Sequence, residues 1–129
     1  MEYITRKRMK AVGICGEVNI PWGTVLVSDG EFILHNGLRL CAEKSQNAYD
    51  YCSCNDDGKG KDRGNLVGRI LAKLEKRDAG YQSRWNKIWA DPRCQKYKRP
   101  EHEDHWLWNH DFYHAPVEDL RYITAMIGA

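Results

Sequence analysis

The chain has 129 residues, of which 42% are hydrophobic and 29% charged, with a formal net charge of +2. Those are globular values, enough for one domain with a sizeable core. They exclude a disordered tail, and no apolar run approaches the ~20 residues of a membrane span. Arg6, Lys7 and Arg8 are not followed by an apolar stretch long enough for a signal peptide, which predicts a cytoplasmic protein with no membrane association. Five cysteines, an odd number without the spacing of a small secreted scaffold, predict free thiols.

Residues 3–42 read as β structure. Tyr3 to Cys15 mixes β-branched, aromatic and basic residues, as an edge strand does. Pro21-Trp22-Gly23 turns the chain into Thr24–Ser28. Asp29-Gly30 separates that run from Glu31–His35, and Asn36-Gly37 separates this from Leu38–Ala42. Both dipeptides predict type I′ hairpin turns, whose central residues need positive φ. Short, strongly turned strands of this kind predict a small SH3-like barrel or meander. Cys15 and Cys41 lie in its apolar runs and read as buried small hydrophobes.

Ser45 predicts the cap of a short helix, Gln46 to Cys52. The Cys52/Cys54 C-x-C pair is a weaker metal signal than C-x-x-C. Asn55 to Lys61 is a polar glycine-rich loop; its spacing fails the calcium-loop pattern, which leaves turn chemistry. It divides a β part, 1–58, from a helical part, 59–129, expected to pack together as one α+β unit. Asp62 or Asn65 caps a helix to about Arg77, with Leu66, Ile70, Leu71 and Leu74 as its apolar stripe and Arg69, Lys73, Lys76 and Arg77 on the remainder. A second helix, Tyr81 to Ala90, puts Tyr81, Trp85, Ile88 and Trp89 on one face, and Pro92 closes it. Residues 93–115 carry no clear periodicity. Pro116 opens a last helix with Leu120, Ile123 and Ile127 as its stripe and Glu118 and Asp119 in its first turn.

The charge is strongly segregated. Residues 1–58 carry six Lys/Arg against eight Asp/Glu, residues 59–101 thirteen against five, and residues 102–129 one against five. Such a basic middle concerns partners rather than fold. Within it, cations interleave with aromatic rings, a pattern that grips phosphates and stacks on bases. The expected contacts are Arg84, Lys87, Lys96, Lys98 and Arg99, with Tyr97 and Trp106 supplying stacking or hot-spot burial. Trp85 and Trp89 read as core. No complete catalytic signature is present, so no catalytic residue and no cofactor is assigned. His105, His110 and His114 are weak metal candidates, because no accepted zinc spacing occurs among them.

Three stretches, the VNIPWGT run, Asn47 to Leu66 and Tyr81 to Ile123, together resemble small uncharacterised proteins encoded by phages and prophages of Gram-positive gut bacteria. The resemblance implies a source and a size class, and it brings no activity, cofactor or site residue. Small accessory phage proteins often act by binding host components, including defence systems. The expectation is therefore a non-enzymatic binding protein acting in the host cytoplasm. It would engage nucleic acid, or a host protein or nucleoprotein, as an anti-CRISPR-type inhibitor does. Two alternatives stand beside it: a sponge, perhaps oligomeric in form, that sequesters a nucleotide signal, and a metal-dependent nuclease.

Overall fold

The computed structural model describes residues 1–13, 16–97 and 110–129. The chain forms two compact units, Met1–Gly64 and Asn65–Ala129. The architecture is α+β, with an antiparallel five-stranded sheet and five α-helices among the described residues.

The first unit begins with β1, Glu2–Thr5, and β2, Met9–Gly13. These are two strands where one edge strand was expected. The basic triplet Arg6-Lys7-Arg8 breaks the run: the Arg6 backbone N–H donates to the Tyr51 carbonyl, and its guanidinium donates to the Tyr49 carbonyl at 2.9 Å. β3 is Gly16–Ile20, β4 Val25–Ser28, β5 Phe32–His35 and β6 Leu38–Ala42. A short helix, α1 (Gln46–Tyr51), starts where Ser45 Oγ accepts from the Ala48 N–H, as its capping chemistry predicts. β7 is Cys52–Cys54, so the C-x-C pair lies in a buried strand. The large sheet runs β6-β5-β4-β1-β7, while β2 and β3 pair separately. β1 is thus interior, between β4 and β7. The sheet ends at β6 and β7 and does not close into a barrel.

The two dipeptide turns differ. Asn36 and Gly37 both have positive φ, 50° and 79°, as a type I′ turn requires. At Asp29-Gly30 only the glycine does. There the Asp29 carboxylate shapes the turn instead, accepting from the backbone N–H groups of Glu31 at 2.9 Å and Phe32 at 2.8 Å. Those two donors hold the Asp29 carboxyl below the usual carboxylate range.

The inner face of the sheet buries Tyr3, Leu26 and Ile33 with Met9, Ile20, Ala48 and Cys52. Cys41 is only half-buried, and Cys15 lies outside the described residues. On the outer face, Ile4 is covered by the start of α2, Gly60–Glu75. A Cβ at Gly60 would lie 2.5 Å from Ile4 Cγ2 and 2.6 Å from Asn55 Oδ1. Gly60→Ala should therefore destabilise the fold by about 1–2 kcal/mol in denaturant unfolding, because overpacking outweighs the helix-propensity gain of alanine at a helix start. A neutral or stabilised variant would show that the helix start can shift without cost.

The second unit holds the rest of α2, then α3 (Tyr81–Ala90), a 3₁₀ segment (Pro92–Tyr97), α4 (His110–Tyr113) and α5 (Val117–Ile127). α2 buries Leu66, Val67, Ile70 and Leu74. Val67 takes the core position expected of Leu71, which is half-buried. From α3, Trp85 and Ile88 enter the core, and the Trp85 indole N–H donates to the Leu74 carbonyl at 3.2 Å. Trp89 is half-buried and stacks on Trp85 with ring centroids 6.1 Å apart. Leu120, Ile123 and Ile127 of α5 are buried as their spacing predicts, around a fully buried Phe112.

Candidate functional site

The expected contact residues do not form one surface. Arg84 is buried, and its guanidinium donates to the Lys76 carbonyl at 2.7 Å and pairs with Asp78 at 2.8 Å. It ties α3 to the end of α2, and the reading of Arg84 as a phosphate contact is corrected accordingly. Tyr97 is 3% exposed. Its ring meets Phe112 edge-on at 6.0 Å, and its hydroxyl donates to Asp119 at 2.7 Å. A ring so enclosed is not available for stacking on a partner. Lys87 is exposed on α3. Lys96 is exposed too, but its Nζ lies 2.6 Å from Asp119. Lys98, Arg99, His105 and Trp106 lie outside the described residues.

Asp119, in the first turn of α5, is the hub that the 3₁₀ segment closes on. It accepts from Tyr97, from Lys96 and from Arg93 at 3.0 Å. Burial opposes its ionisation, yet the hydrogen bonds from Lys96, Tyr97 and Arg93 outweigh burial and hold the carboxyl at about 2. Burial and the Asp119 carboxylate both push the Tyr97 phenol up. Alongside, Arg93 lies 4.1 Å over the Tyr122 ring, and the Tyr122 hydroxyl donates to Asp91. Two cations here face two carboxylates, so the cluster offers little net charge to an anion. Burial also pushes the nearby Cys94 thiol up to about 11, which leaves it protonated and poorly nucleophilic at neutral pH.

The net positive charge of the unit emerges elsewhere. Arg69, Lys73 and Lys76 recur at i, i+4 and i+7 on α2, which places them along one side of the helix. With Ala72, Gly128 and Ala129 they line an open concavity of about 340 Å³. Gly128 ends α5 in the left-handed conformation, φ 72°. Arg69 donates to the Ala129 carbonyl at 2.9 Å and so fixes one wall. Lys76 Nζ is 3.9 Å from Asp78, an exposed pair of small energetic weight. Lys73 and Lys76 thus remain as cations that a ligand could engage, and the lining carries no aromatic ring. Their spacing was legible in the sequence; their use as a wall required the end of α5.

Among the described residues no group of three His, Cys, Asp or Glu side chains is placed to hold a metal ion. His110 opens α4 and His114 follows it, half-buried. No family model matches the sequence, and no curated protein or solved structure matches it.

Proposed function

We propose that the chain is a non-enzymatic binding protein that engages the phosphate backbone of nucleic acid, free or carried in a host nucleoprotein. The observation that supports this reading most is the row of Arg69, Lys73 and Lys76 along one helix, beside an open concavity. Cations on one face release counterions when they meet phosphates, which gives affinity without sequence preference. Lys87, exposed on α3, adds to the positive charge of the same unit. The phage resemblance gives this reading its biological form, an anti-CRISPR-type inhibitor in the host cytoplasm. A nucleotide sponge needs a ring to stack on the base, and the lining of this concavity has none, so a phosphate backbone fits it better than a nucleotide. A metal-dependent nuclease gains no ligand set from the described residues.

The test is fluorescence anisotropy with single-stranded DNA and RNA over a salt series. The double variant K73E/K76E should bind about tenfold more weakly, and the slope of log K against log salt should fall by about two. The exposed Lys44→Glu in the first unit should leave both unchanged. Equal binding and equal slopes in K73E/K76E and the wild type would remove the reading.

A further inference from the structure

The outer face of the large sheet is apolar in its middle and charged at its two sides. Val25 and Val27 of β4 are 50% and 57% exposed. Cross-strand partners in an antiparallel ladder share a face. Val27 pairs with Glu2 on β1 and with Leu34 on β5, and Leu34 pairs with Arg39 on β6. One row therefore crosses four strands in the order Arg39, Leu34, Val27, Glu2. It runs cation, aliphatic, aliphatic, anion. Phe32 borders the cationic end, with the Arg39 guanidinium 4.7 Å over its ring, and Asp29 also feels the Arg39 charge. At the other end Glu2 Oε1 accepts from the Asn55 amide at 2.6 Å, which orients the carboxylate and leaves Oε2 available.

We propose that this face is an interface between two copies of the chain, packed sheet on sheet. A two-fold axis lying in the interface, parallel to the strands and between β4 and β5, reverses the row in the second copy. Leu34 of each copy then lies over Val27 of its partner, and Arg39 of each meets Glu2 of the other. The row is complementary to itself, as an isologous contact requires. A neutral apolar partner would not use the opposed charges, and a charged partner of one sign would be repelled at one end. The start of α2 covers Ile4 and limits the face to β4, β5 and their flanks. Strands of four or five residues at about 4.8 Å spacing give a contact smaller than the usual 800 Å² or so per partner. The association is accordingly weak and concentration-dependent. It is independent of the nucleic-acid reading.

Sedimentation equilibrium from micromolar concentrations up to about 1 mM, the weak end of specific association, tests it. The wild type should pass from monomer to dimer. Val27→Lys sits beside Glu2 within its own sheet, so it should fold, but it would bury an amine against Leu34 of the other copy. It should raise the dissociation constant more than about tenfold. Arg39→Glu and Glu2→Arg should each weaken self-association, by placing like charges opposite one another. An equimolar mixture of those two variants should restore dimerisation, because each then supplies the charge the other lacks. A wild type that stays monomeric, a V27K variant that dimerises like the wild type, or a mixture that stays monomeric would each overturn the proposal. Circular dichroism of every variant separates loss of contact from loss of fold.

Discussion

Replacing Asp119 by Asn should lower stability by roughly 2 kcal/mol at neutral pH and remove much of the protein's sensitivity to acid. The carboxylate is 12% exposed, takes charged partners from Lys96 and Arg93, and accepts the buried Tyr97 hydroxyl. Its folded-state value of about 2 lies below the ordinary 3.8. The sign follows from that depression. The stabilisation is fully present above the unfolded value and is lost as pH falls through the folded one, between about pH 5 and pH 2. Asparagine keeps an oxygen for Tyr97 but offers no charge to the two cations, so the variant should be less stable at neutral pH and should converge on the wild type in acid. Denaturant unfolding of both proteins across that window is the measurement. A constant difference at every pH would mean that Asp119 acts through packing and not through its charge. Asp57 will leave a residual acid response: its hydrogen bond with Arg63 holds it at about 2 as well, but its side chain is 44% exposed and solvent screens the pair.

The Asp119 hub also shows where sequence reading stops. Lys96 and Tyr97 look like a contact surface because a basic-aromatic run has the composition of one. What decides their role is a carboxylate 22 residues beyond Tyr97, and no local pattern reports that pairing. Arg84 is a parallel case. On the helix it occupies a position beside Trp85, yet it turns back to Asp78 and the end of α2, and the chain between them must be folded before the partner is visible. Features whose cause is local were legible. Asn36-Gly37 forms its turn because two adjacent residues accept positive φ. Ser45 caps α1 through an N–H three residues on, and the α5 stripe follows from helical spacing alone. The Tyr3–Cys15 stretch failed for the converse reason. Its alternation continues through Arg6-Lys7-Arg8, and only the solvation of those cations divides it into β1 and β2. Barrel closure depends on which strands meet at long range, and short strong turns constrain neighbours only.

Glu43 is the other buried charge, and Glu43→Ala should cost about 2–4 kcal/mol. In the sequence it sits in Ala42-Glu43-Lys44, which resembles a solvated turn after β6. In the fold it is 9% exposed. Its carboxylate accepts from the Tyr3 hydroxyl at 2.7 Å and from the Ser28 hydroxyl, while its backbone N–H donates to the Glu31 carbonyl at 2.9 Å. One side chain thus fastens β1 and β4 to the chain leaving β6. Truncation removes the acceptor and leaves the Ser28 proton without its partner, since Ser28 Oγ otherwise only accepts, from the Gly30 N–H at 3.0 Å. The Tyr3 hydroxyl would retain the Met1 thioether at 3.2 Å, a weak acceptor. Glu43→Gln preserves shape and one accepting oxygen, but its amide group cannot accept the second hydroxyl. Stability should therefore fall in the order wild type, Gln, Ala, with the glutamine variant losing about half as much. If the alanine variant unfolds within a few tenths of a kcal/mol of the wild type, water has replaced the carboxylate and the pocket is wetter than its burial implies. If glutamine is as costly as alanine, the charge itself fastens the strands, and a neutral acceptor cannot substitute for it.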